Sequence, residues 1–215
     1  MRRIIPRSSP NPIAPPLALL PSPPHTFPME RTSLTHPLIV DSVETPGGGR
    51  IGLTFCPGKK QARAASGSWN RDLDADLDAI RAWGAEVLVS LIEPAEYQRL
   101  GVEDLPEKAR ARMAHLALPV PDYGLPGPEW EAAWEAAGPG LRSILLRGGR
   151  ICLHCMGGLG RSGTIAARLL VELGVPPEDA IRSVRAARPG AVETREQEEY
   201  VQTVRPLEGS IASED

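Results

Sequence analysis

The sequence predicts one α/β domain with a small, mostly parallel, twisted sheet flanked by helices. Three observations carry this. From about residue 34, short apolar runs with strand character alternate with patterns of helical period. The last three of those runs are almost continuously apolar, as parallel strands covered on both faces are. The final run passes through a glycine-rich turn directly into a helix.

Ile51–Phe55 (IGLTF) follows the Gly47-Gly48-Gly49 turn and reads as the first strand. Glu86–Ile92 (EVLVSLI), Ala114–Val120 and Ile151–His154 read as the next three. Helical patterns occupy roughly 72–83, 94–112 with a break at Gly101, and 128–147 with a break near Gly138-Pro139. Residues 161–174, 177–187 and 193–204 follow as helices. Within 72–83, Leu73, Leu77, Ile80 and Trp83 share one apolar face. The alternating Asp72, Asp74, Asp76 and Asp78 mimic a calcium loop, but Leu77 stands where that loop needs glycine and Trp83 where it needs glutamate. A helix with acidic N-terminal turns is the better reading.

The domain is expected over 34–207, between a proline-rich tail, 1–33, and a flexible tail, 208–215. Residues 1–28 hold nine prolines and no acidic residue, a composition that does not fold. Arg2, Arg3 and Arg7 beside an apolar stretch resemble a signal peptide, but prolines interrupt the apolar core and no small-residue cleavage site follows. The segment is expected to be a tail, or to precede a true start at Met29. A net charge of -3 over 215 residues and a pI near 5.9 offer no basic field for nucleic acid. No run of 18 apolar residues exists to cross a membrane. Three cysteines, one of them needed as a thiol, point to a reducing, cytoplasmic compartment, and the chain is expected to be a monomer.

Function is concentrated in His154-Cys155-Met156-Gly157-Gly158-Leu159-Gly160-Arg161-Ser162-Gly163. A nucleophile and a guanidinium stand at the two ends of one strand-to-helix loop. The amides of Met156, Gly157, Gly158, Leu159 and Gly160 are free to surround an oxyanion between them. Cysteine attacks as thiolate, and a helix N-terminus beside a cation is where protein thiols ionise most readily. Arg161 carries a planar fork that fits two phosphoryl oxygens and keeps its proton, so it is the phosphate-binding and transition-state residue. Ser162 is placed to hydrogen-bond the sulfur. His154 is read as orienting the loop and keeping the thiolate ionised rather than as an acid or base. A general acid is also required, and Asp122, in Pro119-Val120-Pro121-Asp122-Tyr123-Gly124-Leu125-Pro126-Gly127, lies 33 positions before Cys155 on a connecting loop. Asp104 and Glu93 are the alternative acids by position. Lys59, Lys60, Arg63 and Arg71 form a basic stretch that either guides a phosphorylated partner or is a solvated loop.

The Cys-x5-Arg-Ser spacing resembles the signature of the cysteine-dependent protein tyrosine and dual-specificity phosphatases. HCMGGLGRSG is most similar to the kinase-associated phosphatases, also called cyclin-dependent kinase inhibitor 3-like. P-x-x-D-x-G-x-P around Asp122 resembles that family's acid loop, and the likeness runs from Gly52-Leu53 and Cys56-Pro57-Gly58 to Glu193-Thr194-Arg195-Glu196-Gln197. The resemblance implies a phosphatase fold, a phosphocysteine intermediate, an acid role for Asp122, and help from Ser162 as the phosphocysteine breaks down. Gly163 departs from the family's vertebrate members, so a cyclin-dependent kinase substrate does not follow.

Three plainer or rival readings fall on context. Gly158-Leu159-Gly160-Arg161-Ser162-Gly163 spells a dinucleotide fingerprint, but Pro176-Pro177-Glu178-Asp179 and another helical pattern follow where that fold needs a strand. Cys152 and Cys155 form a Cys-x-x-Cys pair, yet the third cysteine, Cys56, is 96 positions upstream of Cys152 and no partner pair completes a zinc site. Cys152 is read as strand packing, with a protective disulfide to Cys155 as the alternative. A binding module without turnover typically lacks the cysteine, arginine or acid, and all three are present.

The sequence therefore predicts a metal- and cofactor-independent phosphatase of phosphorylated proteins. Phosphoinositides, other small phosphate esters and a non-catalytic phosphate-binding role are the alternatives. The uncharged Met156 and Leu159 favour phosphoprotein over highly anionic lipid. Phosphotyrosine and phosphoserine/threonine are not separable from the sequence.

Overall fold

A computed structural model describes residues 30–64 and 67–207; most of the expected N-terminal tail and all of 208–215 lie outside them. Seven strands and seven helices appear among the described residues in the order β1 (Asp41–Glu44), β2 (Arg50–Thr54), β3 (Lys60–Ala64), β4 (Gly67–Asn70), α1 (Leu73–Trp83), β5 (Val87–Ser90), α2 (Pro94–Arg99) and α3 (Leu105–Arg110), then β6 (Ala114–Ala117), α4 (Pro128–Leu146), β7 (Arg150–His154), α5 (Gly160–Glu172), α6 (Pro177–Ala187) and α7 (Arg195–Thr203). One sheet runs β1-β2-β7-β5-β6, with β1 antiparallel and the other pairs parallel. The predicted α/β class, mostly parallel sheet and four strands are all present.

β7 is the central strand, and Ile151, Cys152 and Leu153 are inaccessible to solvent. This is the continuous apolar run that a strand buried on both faces requires. Its register brings His154 beside Thr54 of β2 and Ser90 of β5. The three strands therefore end level, and the loops that follow them share the C-terminal edge where open α/β sheets bind ligands.

Three expectations are corrected. The basic stretch is not a plain loop: β3 and β4 form a two-stranded antiparallel sheet of their own, and Lys59 and Arg71 are buried, 5 % and 2 % exposed. Arg71 makes a bidentate pair with Asp76 (2.7 and 2.8 Å), so it is structural, while Lys60 and Arg63 are exposed. Helix α4 does not break at Gly138-Pro139. The carbonyl that Pro139 leaves without a donor belongs to Glu135, an exposed residue on the solvent side of the helix. A side chain at Gly138 would collide with Arg142 and Trp134, both of which reach Glu172 (2.5 and 2.8 Å). The boundary at residue 33 also falls too late, because Arg31 bridges to Trp69 and Ser33 donates to Asp76 (2.8 Å). Strand β1, at the sheet edge, was not anticipated.

The four alternating aspartates are all engaged within the protein, two of them on the shared Arg112. Asp72 caps α1 through the Ala75 N–H (2.8 Å), Asp74 and Asp78 pair with Lys108 and Arg112, and Asp76 binds Arg71, Ser33 and the Gly58 N–H (2.9 Å). Asp76 thus holds the β2–β3 connection against α1. Asp76→Ala leaves a buried guanidinium unpaired and should destabilise the fold by about 3–5 kcal/mol in chemical denaturation, whereas Asp78→Ala, at an exposed pair, should cost under about 1 kcal/mol.

Candidate active site

The fold gathers the predicted residues at the C-terminal edge of the sheet. A cavity of about 80 Å³ is lined by Asp122, Tyr123, Cys155, Met156, Gly157, Leu159, Gly160, Arg161 and Glu193. Gly158 borders it from the loop, and its N–H donates to the Cys155 sulfur at 3.1 Å. Gly158 has φ +74 and lies against the Thr54 carbonyl so closely that a Cβ would stand 2.3 Å from that oxygen. Glycine is required there on both counts. Ser162 is buried, and its hydroxyl has no hydrogen-bond partner among the described residues. The predicted bond from Ser162 to the sulfur is not formed; the Gly158 amide occupies that role.

Arg161 lies in the first turn of α5, 2 % exposed. Glu96, on α2, grips it with two bonds (2.5 and 3.1 Å), and the Val120 carbonyl accepts a third (3.1 Å). Burial alone pushes the Glu96 carboxyl up, but hydrogen bonds from Arg161 and the Glu93 N–H, with the Arg161 charge, hold it below its ordinary value. Asp122 meets the same Nη2 that Glu96 holds, 2.9 Å away. Glu96 fixes the fork from behind, and Asp122 sits where a phosphoryl oxygen would compete for the same nitrogen.

His154 is inaccessible and forms one end of a hydrogen-bond chain. The arrangement that satisfies it has His115 Nε2 donating to Ser90 Oγ (2.8 Å), Ser90 donating to His154 Nε2 (2.6 Å) and His154 Nδ1 donating to the Cys155 carbonyl (3.4 Å). Burial pushes His154 down to about 3 and His115 to about 4, so both are neutral. The expectation that His154 helps ionise the thiolate is corrected: the imidazole brings no charge and acts on the loop's backbone. Cys152 and Cys56 are buried free thiols, and burial pushes Cys152 up to about 12 and Cys56 higher.

Asp104 and Glu93 do not line the cavity. Asp104 precedes α3 in a separate groove with Lys60 and Lys108, and Glu93 borders another with Pro119, Pro121 and Trp130. Sequence reasoning missed Glu96, Glu193 and Tyr123 as site residues. Glu96 had one signal, an acidic residue inside an otherwise ordinary helix start. Tyr123 has φ +56, an uncommon conformation for a non-glycine residue, directly after the candidate acid. Val192 has φ +54, rarer still for a β-branched side chain, directly before Glu193. Arg185 holds that turn by donating to the Ala191 and Val192 carbonyls (3.1 and 3.0 Å).

A cysteine, a buried arginine and a ring of backbone amides at a strand-to-helix loop define the cysteine-dependent phosphatase class, and comparison with known proteins places the chain within it. Residues 64–201 match the sequence model of the family described as Swiss Army Knife protein, DSP-PTPase phosphatase domain, and the chain belongs to that family. It is 31 % identical over 163 residues to cyclin-dependent kinase inhibitor 3 of Rattus norvegicus, covering 72 % of this chain and 71 % of the rat protein. The fold matches a kinase-associated phosphatase whose catalytic-site cysteine is replaced by serine, with a TM-score of 0.67, 25 % identity and 77 % of this chain and 92 % of that one covered. Tk-PTP in its active form matches with a TM-score of 0.55 and 27 % identity, over 76 % of this chain and 95 % of that one. The protein is a cysteine-dependent protein tyrosine/dual-specificity phosphatase.

The buried neutral histidines set an acid limit on stability. His154 titrates near 3 when folded and near 6.5 when unfolded, so the unfolded state binds more protons between those values. Stability should be full above pH 6.5 and fall as pH drops towards 3, with a slope approaching about 1.4 kcal/mol per pH unit for this group. Urea melts across that window should show the slope, and His154→Asn should reduce it, leaving the part due to His115.

Proposed function

We propose that Cys155 is the nucleophile, Arg161 the phosphoryl-binding residue and Asp122 the general acid of a phosphoprotein phosphatase. The observation that carries this is the single cavity holding the Cys155 sulfur, the Arg161 guanidinium and the Asp122 carboxylate together. The thiolate sulfur attacks phosphorus and the ester P–O bond breaks, with Asp122 giving its proton to the departing oxygen. Arg161 and the amides of 156–160 hold the three equatorial oxygens as charge develops. When phosphate enters, Nη2 of Arg161 exchanges the Asp122 carboxylate for a phosphoryl oxygen, which frees Asp122 to face the leaving group. In the second step Asp122 takes a proton from water as water attacks phosphorus, the S–P bond breaks and inorganic phosphate leaves. Arginine and backbone amides supply all the positive charge this scheme needs, so it uses no metal or cofactor.

The substrate proposed is a phosphorylated tyrosine, serine or threonine of a protein. Met156 and Leu159 bring no charge to the cavity and Glu193 brings a negative one. A second phosphate would be repelled there, which disfavours phosphoinositides and polyphosphates. Free thiols at Cys56, Cys152 and Cys155 fit a reducing, cytoplasmic setting, and no described helix is long and apolar enough to cross a membrane. Hydrolysis of p-nitrophenyl phosphate in EDTA, then of a panel of phosphopeptides and phosphoinositides, tests the reading; faster turnover of the lipids overturns the protein assignment.

Cys155→Ser should abolish turnover while tungstate or a phosphopeptide still binds, because Arg161 and the amides remain. Retained hydrolysis above a few per cent of wild type removes Cys155 from the role. Asp122→Asn keeps the shape and loses the proton. It should cost ~10²–10⁴ on phosphotyrosine or an alkyl phosphate and much less on an activated aryl phosphate, with a flattened alkaline limb in the pH profile. An equal loss on every substrate places the acid elsewhere.

A further inference from the structure

Lys59 lies directly behind the phosphate loop, 5 % exposed, with no carboxylate in ion-pair reach among the described residues. The neighbouring carboxylates are engaged: Asp76 by Arg71 and Glu96 by Arg161. A buried ammonium without a carboxylate is costly unless other groups compensate it. Three do so here. Its Nζ stands 4.2 Å from the centre of the Trp69 ring and 5.1 Å from that of Phe55, and it donates to the Met156 carbonyl at 3.5 Å. The Cys56 N–H donates to the same oxygen at 3.3 Å.

In a trans peptide the carbonyl and the next N–H point in opposite directions. Two donors that hold the Met156 oxygen outward therefore turn the Gly157 N–H towards the cavity, which Gly157 lines. We propose that Lys59 is a positioning residue of this active site, fixing the Met156–Gly157 peptide so that its amide faces the phosphate and supporting the Cys155 thiolate with a cation behind the loop. The inference rests on Cys155 being the nucleophile.

The charges around Lys59 agree with this. Burial lowers its pKa to about 8, Cys56 and Cys155 act upward, and Arg71 and Arg188 act downward. Lys59 is therefore charged at neutral pH. Cys56 is itself pushed far up by burial and stays a thiol, and Asp76 and Glu96 are matched by their arginines. Of the two thiols that act upward on Lys59, Cys155 is the one that lines the cavity.

The test is the pH dependence of Cys155 alkylation by iodoacetamide, read by mass spectrometry, in variants whose folding is checked by thermal melts. Lys59→Met should move the alkylation midpoint and the acid limb of kcat/KM to higher pH by about half a unit or more, which slows alkylation by about threefold or more at pH values well below the midpoint. Lys59→Arg, which keeps the charge, should hold the wild-type midpoint, as should Lys60→Met at the exposed neighbour. A folded Lys59→Met protein with an unchanged midpoint overturns the proposal, as does an equal shift in Lys59→Arg. Should Lys59→Met not fold, coupling is read from the other side, since it is reciprocal. By nuclear magnetic resonance the Lys59 ammonium should titrate at lower pH in Cys155→Ser than in wild type, and identical titrations overturn the proposal. Alkylation uses no substrate, so this result is independent of the substrate assignment, while hydrolysis by Cys155→Ser would show separately that the nucleophile is wrong.

Discussion

An anion site made of backbone amides must send its carbonyls the other way, and each outward carbonyl needs a donor. Much of the surrounding structure serves that need. The Cys155 carbonyl takes His154, the Met156 carbonyl takes Lys59 and the Cys56 N–H, and the Gly157 carbonyl takes Arg188 at 3.0 Å. The Gly158 amide then turns inward onto the Cys155 sulfur. Donors from β7, from the β2–β3 connection and from the end of α6 converge on three consecutive peptides. The loop's shape is set from outside, so it needs no bound anion to hold it, and preorganised dipoles of this kind do not have to reorient when charge develops.

The same logic governs the arginine. A guanidinium buried to 2 % would be unstable alone, and Glu96 provides the buried counter-charge. Glu96 also accepts from the Glu93 N–H at 2.8 Å, so the start of α2 is tied to the site. Glu96 holds Nη1 and Nη2 from a buried position. Asp122 shares Nη2 through an ion pair that is 34 % exposed on the aspartate side and therefore weaker. The asymmetry leaves one carboxylate fixed on the guanidinium and the other exchangeable.

Fold class and the central site were legible because their signals are local. The apolar run of β7, the glycines after it and the Cys-x5-Arg spacing lie within twelve residues, and Asp122 stands on a loop whose prolines mark it. What was not legible depends on contacts between distant segments. Lys59 and Arg71 look like solvated charges until β3 and β4 fold over them, and Asp76 looks like one of four helix-start aspartates until Arg71 closes on it. His154 is read as a charge helper in sequence because histidine beside cysteine has that meaning at the surface; its neutrality follows from Ser90 and total burial, which no local pattern encodes. Pro139 is read locally as a helix breaker, yet α4 runs through it, with exposed Glu135 as the residue whose carbonyl loses its donor.

The second carboxylate of the cavity shows how such placement is made. A Cβ at Gly163 would stand 2.6 Å from the Val192 nitrogen, so the absence of a side chain on α5 is what lets the α6–α7 turn approach the site. Arg185 then holds Val192 at positive φ, and Gln197 receives the Glu193 N–H at 2.9 Å. Gln197 also donates to the Gly124 carbonyl at 3.4 Å, which joins this turn to the loop that carries Asp122. The glycine after Ser162, the strained valine and the buried glutamine are therefore parts of one device. It brings Glu193 to the cavity and ties its turn, through Gln197, to the loop that carries Asp122, so the placements of the two carboxylates are linked.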